Sequence, residues 1–237
     1  MKSMKNILRL FFFTTILFVN QQAKAQARFG LKAGVGLSDI HVNITGEDSD
    51  ILEGDYKTRK ITAFHIGGIV AFPLSENLNL ETGLLFSRKG FAEGEDLEPG
   101  EYDKYFLSYL EAPFHLIYHK NQFQVFAGPY LAYGLSGVNK WKYDGKVELE
   151  DLKPTTKTIN LDDDDDTYYF NAIDYGLDFG VGYQVGPVLL NASYSLGLGN
   201  IQPKYEETGD PLDLDIDITM NYRVFSISGT YYFGKEE

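Results

Sequence analysis

The 237-residue chain contains no cysteine. That excludes a disulfide framework, a thiolate metal site, a cysteine nucleophile and a cysteine-linked lipid anchor. Positive charge is scarce too: 21 Lys and Arg stand against 34 Asp and Glu, a formal net charge of −13. A surface of that sign repels phosphate, so nucleic acid is excluded as a partner. Long apolar runs are missing; the longest, residues 10–19, is about half of what a helix needs to cross a bilayer. No helical i, i+3, i+4 stripe is sustained either. What remains is a chain that is 43% hydrophobic and 15% aromatic, with 24 glycines. This is too apolar for disorder and too rich in glycine for a helical bundle.

The first 25 residues read as a targeting segment. Lys2, Lys5 and Arg9 precede the apolar run 10–19, polar Asn20, Gln21 and Gln22 follow, and Ala23-Lys24-Ala25 forms an A-x-A cleavage site. The pattern predicts a secretory signal peptide cut before Gln26, export in a Gram-negative bacterium, and a single domain over 26–237.

Within that domain the recurring signal is alternation of period two, the mark of a strand with two unlike faces. In 29–38, Phe29, Leu31, Ala33, Val35 and Leu37 share one face, and Gly30, Lys32, Gly34, Gly36 and Ser38 the other. Seven further segments behave alike: 62–72, 78–88, 105–118, 122–136, 168–183, 188–199 and 222–233. Short polar links at 73–77, 119–121 and 184–187 alternate with long stretches at 41–58, 91–103, 137–167 and 201–218. Short turns on one side and long loops on the other are the habit of an outer-membrane barrel. The expectation is therefore an all-β, eight-stranded antiparallel transmembrane β-barrel in the outer membrane, with both termini periplasmic and the long loops outside. Closure pairs every backbone group within the lipid. The alternative is a secreted lipocalin-like barrel or sandwich with its faces reversed.

The four long stretches carry −4, −6, −4 and −5, against +2 for the rest of 26–237, so the acidity is expected outside. Its sharpest feature is the run Asp162, Asp163, Asp164, Asp165, Asp166. Clustered carboxylates can bind Ca²⁺ or bridge through divalent cations to lipopolysaccharide, but a Ca²⁺ loop spaces its ligands and turns on a glycine. A solvated charge run is the competing reading.

The inward face is expected to carry Lys32, His65, Glu81, Lys89, Glu111, His115, Asp174 and Asp178. Pairing a His and a carboxylate with Ser193 or Ser226 would make a hydrolase. No G-x-S-x-G and no H-x-x-x-H pair is present. An eight-stranded barrel is only wide enough inside for side chains, so Lys32, Glu81, Glu111, His115, Asp174 and Asp178 read as a structural salt-bridge network. The chain is expected to be non-enzymatic, to need no cofactor, and to be too narrow for general diffusion. A subunit of a secretion or uptake assembly, with an envelope protein as partner, and a narrow solute channel are the alternatives.

FGLKAGVGLS at 29–38, YLEAPFHLIYH at 109–119, FQVFAGPYLAYGLSG at 123–137 and SISGTYYF at 226–233 together resemble the small outer-membrane barrel proteins of Bacteroidota, the PorT-like, porin-family barrels. The resemblance runs over nearly the whole of 26–237. It implies an eight-stranded barrel inserted by the barrel assembly machinery, with the aromatic last strand (Phe225, Ile227, Tyr231, Phe233) as insertion signal. It implies no catalytic residues; some members serve type IX secretion.

Overall fold

The computed structural model describes residues 27–46, 58–93, 100–160, 167–206 and 217–233. The expected signal peptide at 1–25 and Asp162–166 lie outside the described residues, as do parts of the four long stretches.

Alternation becomes strand almost everywhere it occurs. The strands are β1 (Arg28–Thr45), β2 (Ile61–Ser75), β3 (Leu78–Glu93), β4 (Tyr102–Lys120), β5 (Phe123–Tyr143), β6 (Lys146–Thr155), β7 (Ile159–Asn160), β8 (Tyr168–Asn171), β9 (Ile173–Val185), β10 (Val188–Gly197), β11 (Tyr205–Glu206) and β12 (Asp217–Tyr232). Ten of them form one sheet; β7 and β11 pair separately. The pairings run β1–β2–β3–β4–β5–β9–β10–β12 and return from β12 to β1, so this part of the sheet closes into a ring without an edge. Every junction in the ring is antiparallel.

The sheet holds ten strands where alternation predicts eight. Both additional strands arise from the stretch that the sequence splits between a loop at 137–167 and a strand at 168–183. β5 pairs with β9 through Tyr133, and its outer part, Gly137–Tyr143, pairs with β6 instead. β8 then adds to β6 in parallel. The expected single strand at 168–183 breaks between Asn171 and Ile173, because the Asn171 side chain accepts the Ile173 amide at 3.1 Å in a local turn.

Register follows the sequence closely. It runs unbroken through Pro113, Pro129 and Arg223. It shifts once in β5, where Ser108 faces Ser136 and Tyr109 faces Gly134, leaving Leu135 as an extra residue. A bulge of one residue turns every later side chain to the other face. Before it the buried positions of β5 are Phe126, Tyr130, Ala132 and Gly134; after it they are Gly137 and Asn139.

The apolar faces lie on the outside. Phe29, Leu31, Val35 and Leu37 of β1, Leu110, Phe114 and Leu116 of β4, and Leu177, Phe179 and Val181 of β9 are all exposed. Phe29, Phe72, Tyr118, Phe123, Tyr183 and Phe233 are exposed at the short-turn end, an aromatic girdle of the kind found at a membrane interface. Phe225, Ile227 and Tyr231 line the outer face of β12, and Phe233 just past its end is exposed as well. The inside changes character along its length. Toward the short turns it is polar. At the opposite end an apolar cluster of Ile40, Phe91, Leu107, Tyr109, Phe170, Ile201, Tyr222 and Val224 closes it. Phe170 and Ile201 come from outside the ring and are tied down by Asn171 N–H donating to Ile201 O, and Ile201 N–H to Met220 O. That lid is not visible in the alternation.

Candidate functional site

The interior is built from side chains that reach across to one another. Nearer the short turns, Lys32 Nζ of β1 donates to Glu81 Oε1 of β3 at 3.1 Å. Tyr232 of β12 donates to the other Glu81 oxygen at 2.6 Å. His115 of β4 lies 3.6 Å from Glu81 through Nδ1 and 3.0 Å from Asp178 of β9 through Nε2. Farther in, Lys89 Nζ of β3 meets Glu111 of β4 at 2.7 Å and Asp174 of β9 at 3.1 Å. Ser87 donates to Glu111, and Tyr130 to Asp174. Lys89 also stands 4.2 Å over the Tyr130 ring.

Several of these contacts join strands on opposite walls. Lys89 and Asp174 are three strands apart around the ring. Tyr109 of β4 and Tyr222 of β12, four strands apart, bring their hydroxyls to 3.3 Å. A lumen crossed by side chains at several levels is filled. Glycine makes the filling possible: a Cβ at Gly180 would sit 2.6 Å from the Phe126 ring, and one at Gly34 2.6 Å from the His65 imidazole. Between the two ion-pair groups remains a cavity of about 40 Å³, room for two or three waters by the roughly 15 Å³ each requires.

All six residues predicted for the lumenal network, Lys32, Glu81, Glu111, His115, Asp174 and Asp178, are buried inside, and Lys89 joins them. The nucleophile candidates Ser193 and Ser226 line the same cavity as His65 and His115. Ser193 and Ser226 are bonded to each other at 2.8 Å, and His115 faces the carboxylates of Glu81 and Asp178. His65 Nε2 has no partner among the described residues. No group of three or more His, Asp or Glu among the described residues is placed to hold a metal ion.

A second site lies where β4, β5 and β6 extend past the closed ring, and it was not legible from alternation. Asp103 faces Trp141, Tyr105 faces Asn139, and Asn139 faces Glu150 across successive strands. With Tyr143 and Tyr168 they line an open cleft of about 290 Å³. Trp141 and Tyr143 have ring centroids 5.6 Å apart, and Tyr105 stacks on Phe91 at 4.8 Å, which anchors the floor to the apolar lid. Asn139 is only 7% exposed. Asn139 Oδ1 and Asp103 Oδ1 are buried without a hydrogen-bond partner. Burial holds the Asp103 carboxyl above its ordinary range. Burial does the same to its cross-strand partner Glu93, reinforced by the Asp103 charge.

A closed antiparallel sheet with an apolar exterior and a polar, ion-paired interior is inside out for a water-soluble domain, and suits lipid. A family model described as the outer membrane protein beta-barrel domain matches residues 19–202. The chain belongs to that family, an outer-membrane β-barrel protein located in the outer membrane. No curated protein sequence matches it. Among solved structures it is similar to surface protein A of Neisseria (13% identity, TM-score 0.42, covering 88% of this chain and 99% of that one). It is also similar to OprG of Pseudomonas aeruginosa (12%, 0.42, 89% and 98%) and to Ail of Yersinia pestis, solved with a heparin analogue (14%, 0.39, 88% and 99%).

Proposed function

We propose that the protein is a non-enzymatic, non-conducting membrane scaffold, whose wall of eight strands (β1, β2, β3, β4, β5, β9, β10 and β12) crosses the outer membrane and presents the β4–β5–β6 extension to the outside. Both termini, after signal-peptide removal, lie in the periplasm. The observation that carries this reading is the lumen: buried ion pairs join opposite walls, and an apolar lid packs one end. Side chains crossing the lumen support a closed interior, and the Ser193–Ser226 hydrogen bond supports a non-catalytic one.

The outward surface suits a lipid environment at both margins. The aromatic girdle marks the periplasmic one. At the other, Arg88 lies over Phe106 at 4.5 Å and Lys104 over Tyr102 at 4.7 Å, cations placed to meet lipopolysaccharide phosphates above the apolar belt. The four stretches 29–38, 109–119, 123–137 and 226–233 support membership among the PorT-like barrels of Bacteroidota, with β12 as the segment read by the assembly machinery. A second reading, an accessory subunit docking an envelope protein, is favoured by Leu149, 67% exposed, and Val147 beside it on β6.

Orientation is testable because the chain has no cysteine of its own. Lys146→Cys, at the β5–β6 turn, is expected to react with a membrane-impermeant maleimide on intact cells. Lys120→Cys, at the β4–β5 short turn, is expected to react only after the outer membrane is permeabilised. The reverse pattern would overturn the orientation.

A further inference from the structure

The cleft between β4, β5 and β6 combines two features, buried acceptors without donors and exposed aromatic rings. Inside the ring each buried carboxylate has at least one oxygen on a cation, a hydroxyl or a histidine; the cleft gathers two buried oxygens without a donor, Asn139 Oδ1 and Asp103 Oδ1, on facing strands beside exposed aromatic rings. A buried unpaired acceptor costs roughly 1–3 kcal/mol, and native proteins keep few of them. Both oxygens belong to residues lining the same cleft, with the Glu150 carboxylate beside Asn139 in register. All three offer acceptors, so the complementary ligand is rich in donors.

The cleft's other component is aromatic. Trp141 is the chain's only tryptophan, and it lines the cleft with Tyr143, 38% exposed, and Tyr168, 56% exposed. Aromatic rings left in water beside polar acceptors suit a ligand with an apolar C–H face and a hydroxylated edge. Carboxylates at Asp103 and Glu150 disfavour an anionic ligand. A volume of about 290 Å³ falls at the small end of ligand clefts.

We propose that this cleft is a saccharide-binding site, in which a neutral sugar ring lies against Trp141 and Tyr143 and its hydroxyls donate to Asp103 Oδ1, Asn139 Oδ1 and Glu150. The sugar belongs to a glycan outside the cell, an assignment that rests on the outward orientation proposed above. The scaffold thereby gains a partner class: the protein holds neutral glycan at the cell surface, on a platform fixed to the lid by Tyr105 and Phe91.

The single tryptophan gives a direct readout. Full-length protein folded in detergent micelles is titrated with maltohexaose, mannohexaose and cellohexaose while Trp141 emission is followed. At least one of the three is expected to give a saturable change at millimolar concentration or below. Asn139→Leu and Asp103→Leu are each expected to weaken that binding about tenfold, the effect of losing one buried hydrogen bond, with gel mobility of the folded barrel unchanged. Trp141→Phe, followed by calorimetry, is expected to weaken it without abolishing it. Absence of a saturable change with all three sugars would overturn the proposal. So would unchanged affinity in Asn139→Leu and Asp103→Leu, or tighter binding of heparin than of any neutral sugar. The micelle experiment reads the cleft whichever way it faces, and cysteine labelling reads orientation whether or not sugar binds, so the two failures are distinguishable.

Discussion

Lys89 is the residue whose removal tests the interior most sharply. Its ammonium lies between Glu111 and Asp174 and against three tyrosine rings, and replacing it with Met leaves two buried carboxylates facing each other without a cation. Breaking a buried pair by removing one partner costs about 3–5 kcal/mol. Lys89→Met is therefore expected to lower stability by that amount in urea unfolding in micelles, read by Trp141 emission. Lys60→Met, an exposed cation, is expected to change it by about 0.5 kcal/mol or less. Stability at the mouth should also depend on pH. Glu93 and Asp103 have carboxyl pKa values raised by burial, so folding favours their protonated forms. Their contribution is complete below the ordinary carboxylate range and is lost as pH rises through the raised values. Amides at the outer ends of β3 and β4 are expected to exchange faster at pH 7 than at pH 4, after correction for intrinsic rates; equal protection would contradict the burial of the pair. These charged residues were legible as a face, since Lys32, Glu81, Glu111, His115, Asp174 and Asp178 occupy polar positions in alternating strands. Their partners were not, because a ring brings together residues far apart in sequence, such as Lys89 and Asp174.

Among the elements, β5 decides what the mouth displays. Counting by twos from Phe126 places Asn139 and Trp141 on the outer face, and only the bulge at Leu135 returns them to the inner one. Deleting Leu135 is expected to restore straight alternation, move Trp141 to the opposite face and alter its emission, while the ring below remains folded. An unchanged spectrum would mean that the register does not control the cleft. The β5–β6 hairpin was legible in principle. Asp144-Gly145, between alternating segments, is a two-residue turn signal, and both residues have positive φ, 49° and 76°. The acidity of 137–167 hid it within a stretch that reads as loop. Gly145→Val, which forces a branched side chain into that conformation, is expected to destabilise the hairpin by about 1–2 kcal/mol. Faster exchange of the amides from Lys142 to Val147 would show it, with the ring unaffected.

Taken whole, the molecule is a barrel in which two interiors are stacked. The part facing lipid has apolar walls outside and ion pairs inside. Past it, β4, β5 and β6 continue with Leu107, Tyr105 and Leu152 turned inward around an apolar lid, the arrangement of a soluble β-domain. The same period of two serves both, with the polar side reversed where water replaces lipid. The lower part was legible because lipid demands a continuous apolar exterior from every strand. The lid was not, because Phe170 sits in the part of 168–183 that breaks away before Ile173, and Ile201 begins a stretch that reads as loop. A closed barrel of this kind is expected to migrate faster on a detergent gel before boiling than after; identical migration would contradict closure. The measurement that bears most directly on a filled lumen is conductance of the purified protein in planar bilayers. A lumen closed by Lys89, Glu111, Asp174 and the Tyr109–Tyr222 contact gives no unitary current steps at physiological salt. Regular steps of uniform size would mean that water and ions pass, and that the interior is a channel.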